Sequence, residues 1–361
     1  MPRIAPVLAL LLAGCGSGDA PRTTSLAAVA DTGAPPAAAP SPTPADAPAP
    51  AVAAGSARAA DAGPRTDLPP NELGRIPILE YHLIGAENGR WTVTAAQLRT
   101  DMEVLWARGY RPITLIDYVE KRIDLPAGTS PVVFTFDDAS PGQFSYIEEA
   151  DGTLRIDPNS AVGVWLDFAR THPGWGNHAV FCVLSGAEAG RSFFGNKGIE
   201  GQKTEWRHRK VAFLAEQGFE ICNHSLWHAT LSKYDDAVVQ EQLARLQLAV
   251  DSAVPGYRIR SFALPLGEWP KNRALARAGA WTDPKTGKRT EYRHDVVLLV
   301  AGGPARGPHD PEYDPLRLTR VQVHADELVR TLDRLDRERT RYVSDGDPAT
   351  IARPAAAAPA P

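Results

Sequence analysis

Apolar positions along the chain form short β-branched runs that alternate with stretches of helical periodicity. This alternation occupies about residues 73–344 and predicts parallel strands covered by amphipathic helices. The predicted strands are Ile76–His82, Val132–Phe136, Ala179–Leu184, Phe219–Cys222, Arg258–Leu264, Val296–Val300 and Leu318–Val323.

The best-bounded helix is predicted to begin at Thr94, with Gln97 in the capping-box position and Gly109 at its end. Its buried face would hold Leu98, Met102 and Leu105. Further predictions are a hairpin around Asp151-Gly152 and helices from Asn159 to Thr171, from Ser232 with Val239, Leu243 and Leu246 inward, and from Ala325 to Tyr342.

Seven or eight strand–helix units predict a closed α/β barrel, with a doubly wound open sheet as the alternative. No glycine-rich fingerprint follows the first predicted strand, which disfavours a nucleotide-binding version of the open sheet. The net charge is −4 and no basic run is visible, so nothing indicates a nucleic-acid partner. That balance weakly favours small or neutral substrates.

The chain begins with Arg3, an apolar run from Val7 to Leu12, and the sequence Leu-Ala-Gly before Cys15. The run is too short to span a bilayer, and the pattern is typical of a bacterial lipoprotein signal. It predicts an exported protein anchored to the cell-envelope membrane, periplasmic or outer, through lipidated Cys15. An ordinary secretory signal with an incidental cysteine is the alternative.

Four segments are therefore predicted. A signal covers residues 1–15, an Ala/Pro-rich disordered tether residues 16–72, a folded domain residues 73–344, and a disordered tail residues 345–361. Two further cysteines, Cys182 and Cys222, remain in strand-like runs. A disulfide and a pair of buried thiols are equally compatible with the sequence.

Candidate chemistry lies directly after four predicted strands, where active sites of barrels are found. Asp137 and Asp138 follow one strand, and His224 and His228 follow another. Two further strands are followed by Pro265-Leu266 and by His324. Histidines four residues apart on a helical turn can share a metal ion, and a carboxylate would complete the site. Adjacent aspartates diverge, so one could bind the metal while the other takes a proton from water. A turn or helix cap is the simpler interpretation of the aspartate pair.

Four segments, FTFDD, NHSLWHATL, SFALPLG and RVQVHA, resemble in this order the motifs of the polysaccharide deacetylase family (NodB homology, carbohydrate esterase family 4). The resemblance extends from about Pro77 to Ala325. It implies a distorted (β/α)7-8 barrel of the NodB-homology type. It also implies a metal-dependent hydrolase that removes acetyl groups from amino sugars, or occasionally from O-acetylated sugars.

The resemblance also assigns roles to individual residues. Asp137 would be the general base and His324 the general acid, while the backbone N–H near Leu266 would stabilise the oxyanion. The metal ligands would be Asp138, His224 and His228. The metal would be zinc, with cobalt, nickel or manganese as alternatives.

The sequence departs from the family pattern in three places. Ala139 stands where a glycine is usual, and the segment 263–267 lacks the arginine and tyrosine of the third motif. That arginine would orient the base, so Arg258, Arg260 or Arg320 would have to replace it. The aspartate-and-tryptophan motif has no clear match; His294-Asp295 lies in that region and is predicted to be structural.

Aromatic residues are candidates for a sugar-binding wall. Trp227, between the two histidines, is the preferred one; Trp165, Trp175 and Trp269 are others, with Trp165 more typical of a core position. His82, at the end of the first strand, is a weaker candidate for lining the site. The remaining histidines are predicted to be structural: His172, His178, His208 and His309.

Together these predictions describe a monomeric lipoprotein hydrolase that removes N-acetyl groups from a cell-envelope or extracellular polysaccharide. An O-acetyl carbohydrate esterase would use the same site. A third hypothesis is a carbohydrate-binding lipoprotein whose catalysis has decayed, suggested by the altered third motif.

Overall fold

A computed structural model describes residues 63–187 and 189–354. The predicted signal and most of the predicted tether lie outside the described residues. The helices are α1 Ala95–Ala107, α2 Leu115–Val119, α3 Ala161–Thr171, α4 Trp206–Glu216, α5 Asp236–Ala253 and α6 Glu327–Arg337. The strands are β1 Arg75–Ile76, β2 Ile78–Tyr81, β3 Leu83–Ile84, β4 Thr92–Val93, β5 Tyr110–Pro112, β6 Ser130–Asp137, β7 Tyr146–Glu148, β8 Leu154–Ile156, β9 Val180–Val183, β10 Glu220–Asn223, β11 Ser261–Ala263, β12 Ala278–Thr282, β13 Arg289–Arg293, β14 Val296–Gly302, β15 Ala305–Arg306 and β16 Leu318–Gln322.

Seven parallel strands form a closed barrel in the order β2-β16-β14-β11-β10-β9-β6, and β6 pairs with β2 to complete the ring. Each of the seven predicted strand runs contributes one barrel strand. The predicted (β/α) barrel is therefore confirmed, and the open-sheet alternative is wrong. The barrel has neighbours beside the ring: β5 extends the sheet next to β6, and β12 and β13 form an antiparallel hairpin on α5.

Side chains along each strand point alternately into and out of the barrel, so the inward-facing ones form layers in its interior. Apolar side chains such as Ile78, Val133 and Leu318 belong to one buried cluster near the amino ends of the strands. Two residues further along each of these strands stand Glu80, Thr135 and Arg320. Because successive side chains of a strand point to opposite faces, these polar groups share the inner face with the apolar layer. The barrel thus becomes polar toward its carboxyl end.

A disulfide joins Cys182 on β9 to Cys222 on β10, two residues that are directly paired in register. Both belong to the same buried cluster as Ile78. Of the two states left open by the sequence, the structure has the disulfide. Cys222 lies two residues before His224, so the bridge ties the strand that precedes a site residue to its neighbour.

Three helix predictions need correction at their ends. Thr94 caps α1 as predicted, accepting from the Gln97 N–H, but the Gln97 side chain bonds Asp101 and does not close a capping box. Ser232 does not begin a helix: α5 starts at Asp236, capped by Asp235. The error at α5 arises because several nearby Ser, Thr and Asp residues can cap, and tertiary contacts select among them. The third correction concerns α6, which ends at Arg337, before the predicted Tyr342.

The two ends of the described chain meet at one end of the barrel. Asn71 forms a β-bridge with Val343, and the Glu72 and Ala352 backbone N–H groups donate to Ala352 O and Glu72 Oε2. Ordered contacts therefore reach past residues 73 and 344, the predicted limits of the domain. Among the helices of residues 63–187 and 189–354, none is long and apolar enough to cross a membrane.

Candidate metal and catalytic site

Three predicted metal ligands come together at the carboxyl end of the barrel. Asp138 follows β6, and His224 and His228 follow β10. Asp138 Oδ1 lies 3.4 Å from His224 Nε2 and 3.4 Å from His228 Nε2. One ligand atom from each residue falls within 4.8 Å of the other two. Side chains distant in sequence are thus gathered around one point.

The donor atoms fit a divalent cation. Asp138 Oδ1 is buried and has no hydrogen-bond partner among the described residues. His224 Nδ1 lies 2.9 Å from the Ala263 carbonyl oxygen; if Nδ1 carries the proton, the lone pair of Nε2 faces Asp138. An unpaired buried carboxylate oxygen is costly, and a cation would satisfy it. Two imidazoles and a carboxylate are a common ligand set for zinc and related metals.

The three groups also perturb one another electrostatically. Burial alone would raise the pKa of Asp138, but His224 and Arg191 outweigh it and hold that pKa well below its ordinary value. Burial would lower the pKa of His224, but the carboxylates of Asp137 and Asp138 raise it. Burial and the neighbouring His224 lower the pKa of His228 to about 4. His228 is therefore a neutral imidazole near pH 7, as metal binding requires.

Asp137, the predicted general base, is held by Arg320. The guanidinium Nη1 and Nη2 of Arg320 lie 2.9 Å and 2.8 Å from the two carboxylate oxygens of Asp137. Both residues are fully buried. Burial would raise the pKa of Asp137, but Arg320 and His224 outweigh it and lower that pKa. Asp137 is thus ionised and fixed in orientation.

This pairing decides which arginine orients the aspartate. Arg260 instead pairs with Glu120 and with Asp295, 2.7 Å away, outside the site. Arg258 is exposed. Arg320 therefore occupies the orienting position that the altered third motif leaves open.

Glu80, which the sequence did not single out, shares the same guanidinium. Its Oε1 lies 2.9 Å from Arg320 Nη2, and its Oε2 is buried without a partner among the described residues. Burial raises the pKa of Glu80 to about 8, against the attraction of Arg320. One arginine therefore serves two buried carboxyl groups. A glutamate within the apolar run Ile78–Tyr81 was the available sequence signal.

His82 also lines the site. Its Nε2 lies 3.7 Å from Glu80 Oε1, and one of its ring nitrogens is within 4.8 Å of an Asp137 carboxylate oxygen. Trp91 packs edge-on against its ring, with centroids 4.8 Å apart. Burial lowers the pKa of His82, against the attraction of Asp137 and Asp138. The weaker of the sequence candidates for lining the site is thus beside the predicted base.

The other two predicted site residues occupy neighbouring strand ends. His324 follows β16 and borders a cavity with Asn88, Arg90 and Ala325. Leu266 lies in a short 3-10 turn after β11, with a left-handed backbone (φ 58°) and an exposed side chain. Both therefore lie at the same end of the barrel as the metal ligands.

Left-handed backbone conformations cluster around the site. Asp138 (φ 80°), Ala139 (φ 49°), Ser225 (φ 64°) and His228 (φ 62°) all adopt positive φ, which is unfavourable for residues with a Cβ. Such strain persists where surrounding contacts impose it, and it concentrates at functional sites. The Ala139 value also gives a physical reason why glycine is usual at that position.

The tryptophans separate into core and surface. Trp165 and Trp175 are fully buried in the main hydrophobic cluster, so Trp175 is wrong as a sugar platform and the core assignment of Trp165 is correct. Trp269 is partly buried, with Arg273 over its ring. Trp227 is 38% exposed beside the histidines, and Trp91, which the sequence did not single out, is 40% exposed beside His82. Trp227 and Trp91 therefore offer exposed stacking surfaces beside the candidate site.

Arg191 is a further group that the sequence did not indicate. Its guanidinium lies 3.6 Å from Asp138 Oδ2, and its side chain is 43% exposed. It follows β9 in the loop that leads to α4. A solvent-accessible cation therefore borders the carboxylate of the candidate metal site.

The chain is thus a parallel α/β barrel that gathers an aspartate and two histidines at its carboxyl end. The model of the polysaccharide deacetylase family matches residues 176–280. This segment includes the histidine pair and the altered third motif. The resemblance to polysaccharide deacetylases is therefore confirmed. No relative was found among curated protein sequences.

Three solved structures illustrate which proteins share a similar chain path. A polysaccharide deacetylase from Bacillus cereus is 16% identical, with 72% of this chain and 69% of that chain covered and a TM-score of 0.49. The Streptococcus pyogenes deacetylase PplD, in complex with acetate, is 15% identical over 71% and 97% of the two chains, with a TM-score of 0.49. IcaB from Ammonifex degensii is 18% identical over 72% and 96%, with a TM-score of 0.48. The barrel assignment rests on the strand pairing of this chain.

Proposed function

We propose that this protein is a divalent-metal-dependent hydrolase that removes N-acetyl groups from a polysaccharide. The observation that carries the proposal is Asp138 Oδ1, which has no hydrogen-bond partner in the described part of the chain and faces two imidazole nitrogens, next to an ionised aspartate fixed by Arg320. This arrangement supplies a cation site and a base in adjacent positions, which is what amide hydrolysis needs.

Asp138, His224 and His228 would hold the metal, with zinc suited to this ligand set and cobalt, nickel or manganese as alternatives. When bound, the ion would polarise the acetyl carbonyl and acidify water. Asp137 accepts the proton of the attacking water, and Arg320 keeps its carboxylate ionised and aimed. The backbone N–H near Leu266 donates to the developing oxyanion.

Protonation of the departing amine needs an acid, and two imidazoles stand at strand ends for it. The family resemblance favours His324, whereas contact with the Glu80–Asp137 group favours His82. We expect replacement of the proton donor by glutamine to lower kcat for amide substrates about 100-fold or more, because a positioned acid contributes roughly that much. An ester with a good leaving group needs less protonation of that group, so kcat for ester hydrolysis should change little in the same variant. Assaying His82→Gln and His324→Gln on both substrates identifies the donor, and equal small losses in both variants would exclude this role for either.

The proposal is tested by release of acetate from N-acetylated oligosaccharides by the purified full chain. We expect turnover that is abolished by a strong chelator and restored by adding zinc or another first-row divalent ion. A parallel assay on O-acetylated sugars separates the alternative esterase, which would hydrolyse esters and leave the amides intact. Sugar binding without any turnover under metal-replete conditions would instead favour the decayed carbohydrate-binding protein.

We further propose that the enzyme is an exported lipoprotein held at the cell-envelope membrane through Cys15, with the Ala/Pro-rich segment as its tether. The Leu-Ala-Gly-Cys sequence supports this location. The Cys182–Cys222 disulfide supports it as well, because such bonds persist in oxidising compartments. We expect Cys15→Ser to move the protein from the membrane to the soluble fraction, and unchanged fractionation would exclude lipid anchoring.

A further inference from the structure

Basic residues are concentrated on one surface element, although the whole chain has a net charge of −4. Residues 271–293 contain seven lysines and arginines against two acidic residues. All seven basic side chains are exposed. The segment includes the β12–β13 hairpin, whose turn carries Lys285 and whose second strand is preceded by Lys288 and begins at Arg289. We call residues 271–293 the basic hairpin.

A cavity of about 660 Å³ lies between the basic hairpin and helices α4 and α5. Arg207, Arg245 and Lys285 contribute positive charge to its lining, and Trp281 contributes an aromatic ring. The guanidinium of Arg245 lies 5.6 Å from the centre of the Trp281 ring. The cavity therefore combines cations with an apolar, flat surface, which suits a sugar that carries negative groups.

The two carboxylates of this cavity are already engaged. Glu241 Oε1 accepts from Arg245 at 2.7 Å, and Asp283 Oδ1 accepts the Lys285 backbone N–H at 2.8 Å within the hairpin turn. Among the described residues, no ion pair engages the side chain of Lys285 or Lys288. Three cationic side chains thus face two carboxylates in the cavity lining, and the basic hairpin adds a larger excess of positive charge beside it.

The cavity reaches the loop that carries His224 and His228. Its lining includes Ser185 and Gly186, after β9, and Leu226, after β10. The N–H groups of Ser185 and Gly186 donate to the Leu226 carbonyl, at 3.3 Å and 2.7 Å, which joins the two loops. Leu226 directly precedes Trp227, the exposed ring beside the histidine pair. A polymer that reaches the metal site could thus continue into the cavity.

We propose that the cavity and the basic hairpin bind a segment of an anionic polysaccharide, one bearing carboxylate or phosphate groups, outside the metal site. This inference rests on the proposed function for the origin of the ligand, which would be the polymer being deacetylated. This second binding site would add affinity for charged regions of the polymer. It would direct the enzyme to anionic polymers in preference to neutral ones.

The test measures binding of the full chain to oligogalacturonate, to a polyol phosphate polymer and to neutral dextran of similar length. We expect both anionic polymers, or one of them, to bind, and dextran to bind at least tenfold more weakly. Lys285→Gln, Lys288→Gln and Arg289→Gln combined should weaken anionic binding about tenfold at low salt and reduce its salt dependence, because exposed contacts to a polyanion release counterions. Which polymer is retained better identifies carboxylate or phosphate as the recognised group.

Three further measurements make the test specific. A matched variant with Arg330→Gln, Arg334→Gln and Arg337→Gln on α6 removes three charges elsewhere and should bind like the unmodified protein. Trp281→Leu keeps apolar volume and removes the ring, so it should weaken glycan binding several-fold while binding of inorganic polyphosphate stays unchanged. Acetate release from a short neutral N-acetylated oligosaccharide should be the same in the Lys285/Lys288/Arg289 and Trp281 variants as in the unmodified protein.

Equal anionic binding by the triple hairpin variant and the unmodified protein would overturn the proposal. Binding to phosphatidylglycerol vesicles with no binding to either anionic glycan would overturn it too, since the hairpin would then be a membrane contact. These outcomes are independent of catalysis, because binding is measured without turnover. An inactive protein that still binds anionic glycans through the hairpin would contradict the proposed function and leave this inference standing.

Discussion

Replacing Asp137 with asparagine is expected to lower kcat for acetate release by about 100-fold to 10,000-fold, the range that a positioned general base contributes. Asparagine is nearly isosteric but cannot accept the proton of the attacking water. The proposed metal ligands are Asp138, His224 and His228, so the metal content of the Asp137→Asn variant should remain that of the unmodified protein. Steady-state acetate release and elemental analysis of the same preparation measure the two quantities.

The matched control is the neighbouring substitution Asp138→Asn. Here the metal content itself should fall, and activity with it, and excess metal should restore part of both. The Asp137 variant should therefore lose activity with its metal content unchanged, whereas the Asp138 variant should lose both. Loss of metal in the Asp137 variant, or full metal retention in the Asp138 variant, would contradict the division of roles.

Arg320→Met is expected to lower the free energy of unfolding by about 3–5 kcal/mol, the usual cost of leaving a buried charge without its partner. Arg320 is fully buried and bonds both Asp137 and Glu80, so its removal leaves two carboxyl groups inside the barrel. The pKa of Asp137 should then rise, because burial would no longer be opposed by the guanidinium. Chemical denaturation gives the stability, and the pH dependence of kcat reports the base.

Two companion variants separate stability from catalysis. Arg320→Lys keeps the charge but cannot make the paired contacts of a guanidinium, so it should recover much of the stability and little of the activity. Adding Glu80→Gln to Arg320→Met removes one uncompensated carboxyl group and should recover part of the lost stability. An Arg320→Met protein of unchanged stability would show that water compensates the two carboxyl groups.

The direction of the pH effect follows from the lowered pKa of Asp137. A carboxyl group with a lowered pKa stabilises the folded state above its ordinary titration range, and that contribution is lost as pH falls through the lowered value. Acid should therefore destabilise the unmodified protein through this pair. Arg320→Met should lose this part of the acid sensitivity.

The sequence predicted what depends on local patterning. Strand runs, the Thr94 cap and the two site motifs are local signals, and they located all seven barrel strands and four of the gathered side chains. The position of Asp137 and Asp138 directly after a buried run was sufficient, because parallel strands of a barrel end on one face.

The remaining site residues depend on register and on which way a strand faces. Arg258, Arg260 and Arg320 look alike in sequence, and only the barrel shows that Arg320 points inward with Glu80 while Arg260 pairs outside. The basic hairpin is not apparent in the sequence, because its charges are spread over 23 residues. They form one surface only when the two strands pair. The contact of Trp91 with His82 depends on the pairing of β3 with β4, which the sequence does not show.

The two ends of the described part of the chain meet at the amino ends of the barrel strands, and this has a practical consequence. Asn71 pairs with Val343, and Gly128, just before β6, bonds both Thr66 and Ser344, so the described termini lie opposite the end that holds the metal ligands. A fusion partner or a solid support attached through either terminus should leave the catalytic face unobstructed. Under the proposed function, protein immobilised on beads through a terminus should leave this face open to long polymer chains.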